Sequence, residues 1–195
     1  MRIIKQVFAI SSLLALAACA GGGGNGGGTP LPSSATRLVY ANPTDDSAYR
    51  WLADSSLSTN THLVLYLAAP AGVNLHGVGF HLTVDATKAA WIKVSSADPT
   101  YLQNAAFNLG SGPQALSAKV SGATLQGGVF QKAARSTPVA STGQPLIRIA
   151  LDLAAGATPG TVSIQQIPAK ALALIAGTTA APGNITTVVG GLQAQ

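Results

Sequence analysis

The chain contains no glutamate, and among 195 residues it has one cysteine. Only 9 % of its residues are charged and 5 % aromatic. Each shortage excludes something. Long helices with charged outer faces draw on many Lys–Glu pairs, and that supply is missing. Glycoside hydrolysis would have to run on two aspartates, since all six acids are aspartate. A single cysteine excludes an internal disulfide and a zinc site built on paired thiolates. Low charge is accompanied by 47 % apolar content, so charge-driven disorder is excluded as well. The eleven Lys and Arg are scattered, with no basic stripe beside an aromatic cluster, so the net charge of +5 gives no nucleic-acid footprint.

What the chain does have is Gly, Thr, Val, Ala and Pro, the supply for strands and turns. Its length suffices for one domain with a sizeable core. Apolar runs that predict strands include RLVYA (37–41), HLVLYLAAP (62–70), LHGVGFHLTVD (75–85), AAWIKVS (89–95), LSAKVSG (116–122), GGVFQKA (127–133), QPLIRIALDL (144–153) and TVSIQQI (161–167). In 75–85, Val78, Phe80, Leu82 and Val84 alternate with Gly79, His81 and Thr83, which aims one apolar face at a core. Breakers such as ADPT, LGSGP and AAGATPG separate the runs. Residues 47–56 and 98–108 are expected as short helices capped by Ser47 and Asp98. Residues 168–177 read either as a short helix or as a strand, and ITTVVGG (185–191) as a closing strand. The fold class expected is all-β: a single β-sandwich with one or two short helices.

The N-terminus has a different character. Met1–Ala18 carries Arg2 and Lys5, then an apolar core too short for a membrane span of about 20 residues, then small residues. That is the layout of a secretory signal peptide. Its end, Leu16-Ala17-Ala18-Cys19, resembles the box of bacterial lipoproteins. The resemblance implies cleavage between Ala18 and Cys19, a diacylglycerol on the Cys19 thiol and an acylated new amino group. It thereby implies a lipid-anchored protein of the bacterial cell envelope. Ala20 stands where enterobacterial lipoproteins held in the inner membrane carry aspartate, which points to the outer membrane. Two or three acyl chains hold firmly, each buried methylene contributing about 0.8 kcal/mol. Gly21–Gly28 lacks the GK[ST] ending of a phosphate loop and reads as a flexible leash. From Ala20 to Thr36 its mean reach is about 20–25 Å. The expected organisation is a signal peptide over 1–18, lipidated cysteine and linker over 19–36, and a β-sandwich domain over 37–195.

Within the body, Gly77-Val78-Gly79-Phe80-His81-Leu82-Thr83-Val84-Asp85-Ala86-Thr87-Lys88 resembles a cohesin-like strand running into its turn. GGVFQKAAR, TGQPLIRIALDL and GTVSIQQI resemble later strands of that fold, so the resemblance covers about Arg37 to Ile167. It implies a cohesin-like jelly roll, an architecture shared with several carbohydrate-binding modules, acting in binding or adhesion rather than catalysis. Cellulosomal members grip dockerins through a sheet face. No contact residue carries over position by position.

Candidate chemistry is thin. His76 and His81, five apart, fall on opposite faces of an unbroken strand, poor geometry for one metal, and His62 stands apart. Asp45, Asp46 and Asp54 could supply calcium oxygens, but EF-hand spacing is absent and a solvated turn explains the pair better. No G-x-S-x-G accompanies the serines. Trp91 and Tyr66 are expected in the core, and Tyr49 and Trp51 packed on a loop, although a strand would put those two on one face for sugar stacking. No catalytic residue, metal ligand, cofactor or ligand-binding residue is therefore assigned. The expected activity is a non-catalytic binding or adhesion module for a protein or glycan. A structural or assembly lipoprotein is the alternative, and an unrecognised hydrolase comes third.

Overall fold

The structure, a computed structural model, describes residues 33–110, 115–131, 137–177 and 181–195. Ala18, Cys19 and the glycine-rich leash lie outside the described residues. The first strands are β1 (Leu38–Ala41), β2 (Tyr49–Ala53), β3 (His62–Ala68), β4 (Asn74–Val84) and β5 (Ala89–Ile92). Next come β6 (Gln103–Asn104), β7 (Ala115–Ser121), β8 (Thr124–Phe130), β9 (Val139–Ala140) and β10 (Ile147–Leu153). The last are β11 (Gly160–Val162), β12 (Ile164–Gln166), β13 (Leu172–Ile175), β14 (Gly183–Asn184), β15 (Thr187–Val189) and β16 (Gly191–Ala194). A 3-10 turn, Pro168–Lys170, stands between β12 and β13.

These strands form a β-sandwich. One large sheet runs β15-β2-β3-β10-β5, with β6 also on β10. The other runs β14-β13-β4-β8-β7, with β12 and β9 also on β4. A small sheet, β1-β16-β11, joins the two ends of the described chain. Among the described residues all pairings are antiparallel except β15 with β2. The apolar faces meet in one core. From β4 it takes Val78, Phe80, Leu82 and Val84, as alternation requires, and from β3 Leu63, Leu65 and Leu67. Each fully buried side chain of this size removes apolar area worth about 1.5–3 kcal/mol. Trp51 of β2 meets Phe80 of β4 edge to face, with ring centroids 5.3 Å apart, so the two layers touch through aromatics. The Trp91 indole N–H donates to the Ala123 carbonyl at 2.8 Å and ties β5 to the β7–β8 turn.

Both expected helices are absent. Residues 49–53 form β2, because Tyr49 and Trp51, two apart, both turn into the core. At 98–108 the side chains organise a loop and the two-residue β6 instead. Asp98 accepts from the Ser95 N–H at 2.8 Å rather than capping a helix, and Asn104 clasps Phe107 through two bonds. Residues 168–177 contain both of their alternatives in sequence, the 3-10 turn and then β13. Tyr49 and Trp51 are core residues of a strand rather than loop packing, while Tyr66 is half-buried opposite Arg148 instead of in the core.

Candidate functional site

The outer face of the β4 sheet has the most distinctive geometry. The core takes the side chains of Val78, Phe80 and Leu82, so the positions between them look outward. Pairing sets Leu172 opposite Gly79, Gly79 opposite Gly128, and Gly128 opposite Ser117. This row crosses four strands and has side chains only at its ends. It floors a groove of about 510 Å³. One wall begins with the neighbouring pair Gly77–Phe130 and the other with the row His81–Gln126–Lys119. Lys170, from the 3-10 turn, also lines the groove.

The glycines are there because of close approach. A Cβ at Gly77 would strike the Phe130 ring and come within 2.5 Å of the Val129 carbonyl oxygen. At Gly128 it would lie 3.0 Å from both Phe130 Cε2 and the Val78 oxygen. At Gly79 it would sit 3.4 Å from Phe130 Cζ, ordinary contact. The Phe130 ring therefore lies across the glycines, and the floor stays open only because no side chain rises from it.

The groove is cationic. Lys119 and Lys170 line it, and no aspartate does. The ion pairs among the described residues are His62–Asp152 and Arg148–Asp54, so neither groove lysine is neutralised by them. Positive charge beside an open apolar floor favours a partner carrying carboxylates.

The remaining polar chemistry serves the scaffold. Asp45, Asp54 and Asp85 each accept from the N–H and hydroxyl of the residue two further on, Ser47, Ser56 and Thr87, with hydroxyl distances of 2.6 Å. Asp54 also receives Arg148 Nε at 2.8 Å. Burial raises the Asp54 pKa, but the Ser56 hydroxyl and Arg148 outweigh that and hold it below the ordinary carboxylate value. Hydrogen bonds from Ser47 and Thr87 likewise lower Asp45 and Asp85. Among the described residues, no three His, Cys, Asp or Glu side chains gather as a metal would need.

The three histidines are dispersed. His62 Nδ1 lies 2.6 Å from Asp152 Oδ1 across the β3–β10 pair. His76 is buried with Nδ1 3.3 Å from Gln131 Oε1, and His81 lines the groove. β4 runs continuously through His76 and His81, but its register with β13 shifts between Leu174 and Ile175. Leu75 and Val78, three apart, both enter the core, so simple alternation does not hold between the two histidines. Cys19 and Ala18 lie outside the described residues. Gly79, Gly128, Phe130, Lys119 and Lys170 were not singled out from the sequence as site residues. The available signal was glycine inside strand patterns, GVGF and QGGVF, without turn chemistry around it.

No protein-family model matches the chain, and no curated protein matches it. Solved structures similar to it include the complex of CaCohA2 with a CaDoc0917 variant, at TM-score 0.48 and 10 % identity, covering 67 % of this chain and 84 % of that one. The sixth cohesin of scaffoldin B from Acetivibrio cellulolyticus, in complex with a Cel5 dockerin mutant, is similar at TM-score 0.43 and 16 % identity, covering 67 % and 85 %. The third cohesin ScaC of Acetivibrio cellulolyticus, with a mutated ScaB dockerin, is similar at 0.45 and 9 %, covering 67 % and 83 %. The β-sandwich described above rests on this chain's own strand pairings.

Proposed function

We propose that this chain is a lipid-anchored, non-catalytic binding module of the bacterial cell envelope, and that the glycine-floored groove is its contact surface for a protein partner. One observation carries the proposal: the row Leu172–Gly79–Gly128–Ser117 leaves a bare apolar floor beside two lysines with no ion-pair partner among the described residues. An open floor accepts a protruding side chain from another surface, and the lysines select an acidic one. Gly77, Gly79 and His81 of the cohesin-like sequence pattern all contribute to this face. The lipobox at Leu16–Cys19 supports a lipid on Cys19, and Ala20 supports the outer membrane. A glycan is the second candidate partner, favoured by the Phe130 ring beside Gln126, Ser117 and His81.

Titrating the isotope-labelled full chain in detergent with a capped hexaglutamate peptide tests the groove. Salt-sensitive amide shifts at Gly79, Gly128 and Lys119 are expected, weakened in Lys170→Glu. Shifts produced by cellohexaose instead would favour the glycan partner. Silence with both probes would overturn the binding role and leave a structural or assembly lipoprotein.

A further inference from the structure

Each large sheet ends in strands with a single neighbour, and such edges offer unpaired main-chain groups. Most edges here are short. β14 has two residues, β15 and β11 three, and β1 and β5 four. β7 has seven, and among the described residues it pairs with β8 alone.

The pairing phase shows which groups are open. The β7–β8 turn is Gly122-Ala123, with φ +57° at Gly122 and no positive φ at Ala123, the signature of a two-residue type II′ hairpin. In such a hairpin Ser121 and Thr124 exchange both main-chain bonds, and alternation repeats that at Lys119–Gln126 and Ser117–Gly128. The N–H and C=O of Leu116, Ala118 and Val120 therefore point away from β8. None of the three makes a main-chain bond elsewhere among the described residues.

The side chains have a matching pattern. Leu116, Ala118 and Val120 pack against the core yet remain half-buried, so the inner face at this edge is incompletely covered. Ser117, Lys119 and Ser121 are exposed on the other face. We propose that β7 is a strand-addition site: an extended acidic segment of a partner protein pairs with the main chain of 116–120. Its apolar residues extend the inner face, and a carboxylate meets Lys119. Lys119 also argues against a second copy of this chain. Antiparallel pairing of two β7 strands about their centre would bring both Lys119 side chains to one face within about two residues, a like-charge arrangement that sheet edges use to prevent self-association. The edge borders the groove and shares Ser117 and Lys119 with it, but the proposal rests on the outward main-chain groups of 116–120, which the groove reading does not use.

Amide exchange on the full chain tests it, with a capped heptapeptide of alternating valine and aspartate as the probe. The Leu116, Ala118 and Val120 amides should slow about fivefold or more, the effect of one added hydrogen bond each. The Ser117 and Lys119 amides, already bonded to β8, should not change. Ala118→Pro removes an outward donor while sparing the β8 ladder, and should abolish the slowing at Leu116 and Val120. Lys119→Glu, an exposed change that leaves the fold unloaded, should transfer the slowing to an alternating valine–lysine peptide. Exchange that ignores the acidic peptide would overturn the proposal. So would equal slowing by both peptides, or slowing that needs no peptide and grows with protein concentration, which would assign the edge to a second copy.

Discussion

Tyr40 uses one hydroxyl for two bonds. It donates to the Trp51 carbonyl at 2.8 Å and accepts the Gly190 N–H at 2.6 Å, so it ties the small sheet to β2. Burial pushes its pKa up to about 12, against the opposing pull of the Gly190 N–H. Removing the oxygen would strand both partners, so Tyr40→Phe should cost about 1–3 kcal/mol by urea unfolding, with the m-value unchanged. The groove glycines offer a contrast of the same size. Gly79→Ala puts a methyl at ordinary contact distance and should shift stability by less than about 0.5 kcal/mol while raising the floor. Gly77→Ala meets backbone and the Phe130 ring and should cost about 1–3 kcal/mol or more. Asp54 sets an acid limit. Its folded pKa lies below the unfolded value of 3.8. Its contribution is therefore complete above that value and is lost as pH falls through the folded one. Stability measured by urea unfolding should fall with pH below that point, and Asp54→Asn should flatten this part of the profile.

Strands that alternate cleanly were legible in the sequence, and those whose role depends on a distant partner were not. Val78, Phe80, Leu82 and Val84 announced β4 because period two is a local property. Residues 47–56 misled because Ser47 before a mixed apolar run resembles a helix cap, whereas its hydroxyl serves Asp45 in a turn. Tyr49 and Trp51 held the correct period, but the two-residue spacing becomes decisive only once β3 and β15 flank them. The groove was hidden for the same reason. Gly79 and Gly128 are neighbours only through the β4–β8 register, across 49 residues of chain. Turns act between elements as well. Trp91 reaches from β5 to Ala123 in the β7–β8 turn, so Trp91→Phe should cost about 1–2 kcal/mol. Exchange at the Thr124 and Ser121 amides should rise more than at β3, where no contact is lost.

At the scale of the whole molecule, two large sheets share one core, and the N-terminal cysteine is expected to determine where that body resides. Cys19→Ala should move the protein from the membrane pellet to the soluble fraction; a variant that still pellets with membranes would end the lipid-anchor proposal. The small sheet sets a second property. Leu38 pairs with Ala194, and Arg37 and Gln195 exchange main-chain bonds at 2.9 Å. The two ends of the described sandwich thus meet side by side, and the fold is nearly a closed loop whose starting point is arbitrary. A circular permutant should test this. Joining Gln195 to Ser33 through a short glycine-serine link and opening the chain at the exposed Gly156 turn should leave a cooperatively melting protein with the same core. Ala157, beside that turn, accepts the Ala35 N–H, so an anchor there would stay at its present end of the β-sandwich. Opening the chain instead at the exposed Gly72 turn, past the Ala68 end of β3, would carry the anchor to the other end, and the surface facing the membrane would become a choice of the experimenter.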